Sequence, residues 1–101
     1  MKIVTICGSM KFENEMIKVA RELETKKGFC VIQCVYNIDK AKESEQEIKN
    51  IIDAHWKKID ICDVVYVLNI NGYIGESTKN EIEYAKKQGK EIIYHEKGES
   101  I

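Results

Sequence analysis

The sequence has almost no net charge: 16 basic and 17 acidic residues leave −1 over 101 residues. No basic run compensates, so a nucleic-acid polymer is not an expected partner. No apolar stretch approaches the ~18 residues of a membrane span. A strand begins directly at Lys2, so neither a membrane segment nor a leader peptide is expected. The four cysteines, Cys7, Cys30, Cys34 and Cys62, contain no CxxC pair. They read as buried, reduced thiols of a cytoplasmic protein rather than as a disulfide framework. His55 and His95 lack ligand-like spacing to those cysteines, so no metal is expected. The Walker phosphate loop and the GxGxxG fingerprint are both missing, which argues against triphosphate and dinucleotide binding. No cofactor is expected either. Internal repeats, linkers and low-complexity stretches are also missing.

What is present is one domain's worth of alternating elements. Lys2 to Cys7 is a β-branched apolar strand broken at Gly8 and Ser9. Phe12, Met16, Ala20 and Leu23 recur at helical spacing, and Gly28 is a plausible stop. A second strand is expected over Phe29 to Tyr36, then a polar loop and frayed helix start from Asn37 to Gln46. Ile48, Ile51, Ile52, His55, Ile59 and Cys62 form one stripe of a long helix. A third strand spans Asp63 to Asn69, a third helix runs from about Ser77 to Gln88, and Gly89 ends it. Glu91 to His95 is a fourth strand, and the last six residues read as a tail. Strands without alternation, each separated by a helix, predict a parallel sheet covered on both faces. Right-handed crossovers give a flavodoxin-like (Rossmann-type) α/β fold with four strands in the order 2-1-3-4.

In that order the first and third strands are neighbours, and the loops after them meet over one crevice, where open α/β sheets bind ligands. The first loop is Gly8, Ser9, Met10 and Lys11. It opens a helix, where amide donors, the helix dipole, the Ser9 hydroxyl and the Lys11 charge favour an anion. The plain alternative is a tight turn with Ser9 as a cap. The second loop carries Asn69, Asn71, Gly72, Gly75 and Ser77, with Glu81 in the first turn of the helix behind it. Glu81 also fits a capping box with Thr78, and the two roles are compatible for a nucleophile. Glu76, in the loop, and Glu83, facing solvent, are rival carboxylates. His55 lies mid-stripe and reads as a core residue. Asp53 and Asp60 fall on a solvated side, Asp63 reads as a cap, and Trp56 as a core or dimer contact.

Three segments together, Cys7 to Lys11 (CGSMK), Cys62 to Val65 (CDVV) and Gly75 with Glu81 to Ala85 (EIEYA), resemble the nucleoside 2-deoxyribosyltransferase superfamily. The likeness spans about residues 2 to 95 and is nearest to small members with the loop GYIGEST, here Gly72 to Thr78. The resemblance implies a homodimer whose glutamate attacks the anomeric carbon of a deoxyriboside and releases the base. Water or a second base then resolves the deoxyribosyl-enzyme. Glu81 occupies the position of that nucleophile. Gly8, Ser9 and Met10 match the loop that holds a 5′-phosphate in the nucleotide-hydrolysing branch. An aspartate protonates the leaving base in the family, and its counterpart is Asp53, with Asp63 second. Thr5 stands where the family carries an aromatic residue, and the interval from Gly75 to Glu81 is two residues longer than in the nucleotide hydrolases. The expected partner is a small nucleoside or nucleotide, and the expected activity is N-glycosidic hydrolysis or deoxyribosyl transfer. The rival readings are a non-catalytic nucleotide-binding or sensing module and a purely structural dimer.

Overall fold

The computed structural model describes residues 1–36 and 42–96. Strand β1, Ile3–Gly8, is buried from Val4 through Cys7, as a β-branched strand covered on both faces should be. A single 3₁₀ turn, Met10–Phe12, leads into helix α1, Glu13–Lys27. Gly28 ends that helix at φ 69°, its N–H donating to the Glu24 carbonyl; the left-handed geometry is the reason a glycine stops the helix here.

Strand β2, Cys30–Ile32, is much shorter than the stretch expected from Phe29 to Tyr36. It is an edge strand paired only with β1, so its apolar run continues past the point where pairing stops. The loop expected from Asn37 lies partly outside the described residues, which resume at 42. Helix α2, Glu45–Ile61, is not frayed at its start. Ser44 Oγ accepts from the Glu47 N–H at 3.2 Å, and Glu47 Oε1 accepts from the Ser44 N–H at 2.8 Å. This reciprocal capping box fixes the first turn.

Strand β3, Val64–Leu68, helix α3, Glu76–Lys87, and strand β4, Glu91–Tyr94, complete the domain. All pairings are parallel and the sheet order is β2-β1-β3-β4, as expected from the sequence. Of the terminal tail only Glu96 is described. Since β2 and β3 lie on opposite sides of β1, right-handed crossovers place α1 on one face and α2 and α3 on the other. Burial agrees. Val4, Ile6, Val64 and Leu68 pack with Met16, Val19, Ala20 and Leu23 of α1. On the other face Cys7, Val65 and Val67 pack with Ile59, Cys62, Ile82 and Ala85. The strand sequences look uniformly apolar because alternate residues serve two different cores. Among the described residues no helix is long and apolar enough to cross a membrane. All four cysteines are free; Cys7 and Cys62 are buried as expected, but Cys34 is half-buried and Cys30 is exposed.

Candidate functional site

A cavity of about 430 Å³ opens over the carboxyl end of β1. That volume lies within the range typical of small-molecule sites. Its lining includes polar groups, Ser9, Ser77, Asn80, Glu81 and Lys58, and apolar ones, Met10, Val35, Ile51, Ile52 and Trp56. The helices supply this contrast through their phase. The inward stripe of α2 presents Ile51, Ile52, His55 and Trp56, and the first turns of α3 present Ser77, Thr78, Asn80 and Glu81. Trp56 is braced edge-on by Tyr84, ring centroids 4.8 Å apart. Tyr84 in turn donates its hydroxyl to Asp60, and that bond holds the Asp60 carboxyl below its ordinary range.

Glu81 is the only carboxylate lining the cavity among the described residues. It is not a capping residue. Helix α3 begins at Glu76 after an N-cap at Gly75 that makes no side-chain cap bond, so Thr78 lies inside the helix and the expected box does not form. The Glu81 side chain instead meets His55, with Oε1 3.4 Å from Nε2. The two side chains are only 16% and 17% exposed. The same nitrogen, His55 Nε2, is 3.6 Å from Cys7 Sγ. Burial pushes the Cys7 thiol well above its usual value, and the nearby Glu81 carboxylate pushes it further in the same direction. The stripe that made His55 read as core does point it inward, but the inward direction at that height is the cavity.

The remaining expected residues divide into two groups. Gly8, Ser9, Met10 and Ser77 line the cavity with Glu81. Ser9 Oγ accepts from the Lys11 N–H at 3.3 Å, which leaves its own O–H able to donate elsewhere. Gly8 has no room for a side chain: a Cβ there would come within 3.2 Å of Leu68 Cβ and 2.8 Å of Met16 Cε.

The second group is used elsewhere. Lys11 Nζ sits 3.5 Å from the centroid of the Tyr73 ring, a cation–π contact that joins the loops after β1 and β3. Among the described residues the cation on the cavity wall is Lys58, which donates to the Gln33 carbonyl at 3.0 Å and which helical periodicity does not single out. Asn69 is fully buried, and its amide is spent on the Glu96 backbone, accepting at 2.8 Å and donating at 3.2 Å. Asn71, Gly72 and Gly75 do not line the cavity. Asn71 and Gly72 form the left-handed part of a tight turn, at φ 55° and 77°. Asp53 is exposed and paired with Lys49 at 2.6 Å. Asp63 accepts from the Ile3 N–H at 2.8 Å, where β1 and β3 start, at the end of the sheet away from Gly8. Neither aspartate is brought to Glu81.

Residues 4–94 match the family described as a domain of unknown function, DUF4406. Among solved structures, a 2-desoxiribosyltransferase from Leishmania mexicana is similar with a TM-score of 0.69 and 21% identity, over 93% of this chain and 63% of that one. A conserved protein from Enterococcus faecalis V583 is similar with a TM-score of 0.62 and 15% identity, over 93% and 62%. The chain thus spans just under two thirds of the length of each. At these identities the likeness establishes the fold, which is the one that the sequence resemblance implied. No curated protein matches.

Proposed function

The chain belongs to the DUF4406 family, and we propose that it cleaves or transfers the N-glycosidic bond of a nucleoside or nucleoside 5′-monophosphate. The observation that carries this reading is Glu81, a carboxylate in contact with His55 on the wall of a mostly apolar cavity. The apolar lining with Trp56 suits a flat base, and the polar groups suit a sugar. His55 contacts Oε1, and in this reading a Glu81 carboxylate oxygen attacks the anomeric carbon. That oxygen forms a bond to the carbon as the carbon–nitrogen bond breaks, and the base leaves with the bonding electrons. Water or a second base then displaces Glu81 and restores the carboxylate. His55 acts here as a positioning residue. A 5′-phosphate would lie toward Gly8, Ser9 and Met10, with Lys58 as the nearest cavity cation.

A homodimer is part of the proposal. Val35 and Ile52, on the cavity wall, are 47% and 48% exposed, apolar area that a second copy would cover. A non-catalytic nucleotide-binding module is the second reading. It is favoured by the lack, among the described residues, of another lining carboxylate, since glycosidases ordinarily pair two. Incubation with a panel of deoxynucleosides and their 5′-monophosphates, with chromatography for free base, separates the two readings. Base release supports catalysis; saturable binding without release supports the module.

A further inference from the structure

One cluster brings together three chemically different metal-binding atoms. Cys7 Sγ is 3.6 Å from His55 Nε2, and His55 Nε2 is 3.4 Å from Glu81 Oε1. All three donor atoms lie within 4.8 Å of one another. Zinc bonds are about 2.3 Å to sulfur and about 2.0–2.1 Å to nitrogen and oxygen. In a tetrahedron those lengths place ligand atoms roughly 3.3–3.6 Å apart, so both measured edges already fit.

We propose that Cys7, His55 and Glu81 bind a divalent cation of the zinc class, with a fourth coordination position facing the cavity. The donors come from β1, α2 and α3, so no spacing in the sequence announces them. Thiolate and imidazole select zinc-like ions over magnesium and calcium, which demand oxygen ligands. Three protein ligands with an open position describe a catalytic rather than a structural zinc site. His55 and Glu81 line the cavity and give the ion its entry, while Cys7, 1% exposed, forms the inner corner. As the metal–sulfur bond forms the thiol proton leaves to solvent, and His55 coordinates through its Nε2 lone pair with Nδ1 protonated. Thiolate and carboxylate together neutralise the two positive charges, which a partly buried site requires. The proposal does not rest on the glycosidic reading. Coordination to zinc neutralises the Glu81 carboxylate and weakens it as a nucleophile at either oxygen, so the metal-loaded state would be inactive as a glycosidase.

The test is cobalt(II), as a spectroscopic stand-in for zinc, added to the reduced, metal-free full-length chain. The expected result is a thiolate-to-cobalt charge-transfer band and intense tetrahedral ligand-field bands that saturate at one equivalent. Cys7→Ser should lose the charge-transfer band, while Cys30→Ser, at an exposed free thiol, should keep it. His55→Gln and Glu81→Gln should lower cobalt affinity by more than the roughly 10–100-fold cost of losing an outer-shell partner. His55→Gln alters a less buried ligand, so it tests the site even if Cys7→Ser folds poorly. A wild-type protein without the charge-transfer band at one equivalent would overturn the proposal. So would a band that survives Cys7→Ser, or unchanged affinity in His55→Gln. Because the readout is metal binding, failure here leaves base release untouched, and the reverse holds equally.

Discussion

His55 Nε2 stands 3.4 Å from Glu81 Oε1, and this contact joins helix α2 to helix α3 at the cavity wall. It orients the carboxylate at the cavity wall. His55→Gln should therefore lower kcat for base release on the order of 10²-fold, the scale expected when a reacting group is misplaced by about 1 Å. KM should change little, because the lining that binds base and sugar is retained. Steady-state kinetics on the most active substrate provide the check; a KM effect alone would make His55 a binding residue.

A 5′-monophosphate should bind more tightly than its nucleoside. Charge-assisted hydrogen bonds to the phosphate are worth roughly 1.5–3 kcal/mol each before desolvation and ordering costs. Ser9→Ala and Lys58→Met should weaken the monophosphate and leave the nucleoside nearly unchanged. Lys11→Met should affect neither, since that charge rests on the Tyr73 ring. Calorimetric titration of the variants with both ligands decides this. Equal wild-type affinities would make Gly8 and Ser9 a plain turn.

Alkaline stability should depend on Cys7. Burial raises this thiol well above its usual value of 9.0 in the folded chain. The folded state therefore holds the proton more tightly than the unfolded state. The resulting stability is complete below about pH 9 and is lost as the pH climbs from there toward the folded value. Cys7→Ala should start from a lower urea midpoint but show a shallower decline above pH 9. Parallel declines for the two proteins would show that Cys7 contributes nothing to the alkaline limb. The Tyr36 phenol, pushed up to about 12 mainly by burial, acts in the same direction and is present in both proteins.

Sedimentation equilibrium at micromolar concentration should give about twice the 11.7 kDa chain mass. Ile52→Lys, at the exposed cavity mouth, should shift that mass toward the monomer. An 11.7 kDa species alone in the wild type would contradict the dimer.

The architecture was readable because strand order follows from three right-handed crossovers, and uniformly apolar strands imply two covered faces. The ends of elements were less so. Beyond Ile32 the run from Phe29 to Tyr36 stays largely apolar without pairing because Cys34 and Tyr36 pack against the core on the α1 side, while Val35 lies exposed on the cavity wall. Ser44 and Glu47 carry the S-x-x-E pattern and form the capping box, while Thr78 and Glu81 carry the matching T-x-x-E pattern and do not. Both obey one rule, and the helix start, set by Gly75 in the second case, decides between them. At the site, Ser9, Ser77 and Glu81 were legible because they lie in loops or first turns at strand ends. Asn69 resembled a loop amide, yet a buried polar side chain needs partners, and the Glu96 backbone takes both of its groups. His55 and Lys58 could not be separated from core and surface by periodicity. Their value depends on where the sheet ends beneath α2, which only the three-dimensional packing specifies.

The most direct test of the account is the turnover of purified Glu81→Gln beside the wild type on whichever substrate yields free base. The glutamine keeps the shape of the side chain and can still contact His55, but it has no carboxylate oxygen to attack carbon. The account predicts that base release falls to background while the melting temperature stays close to that of the wild type. Full turnover by Glu81→Gln would contradict the assignment of Glu81 as the nucleophile.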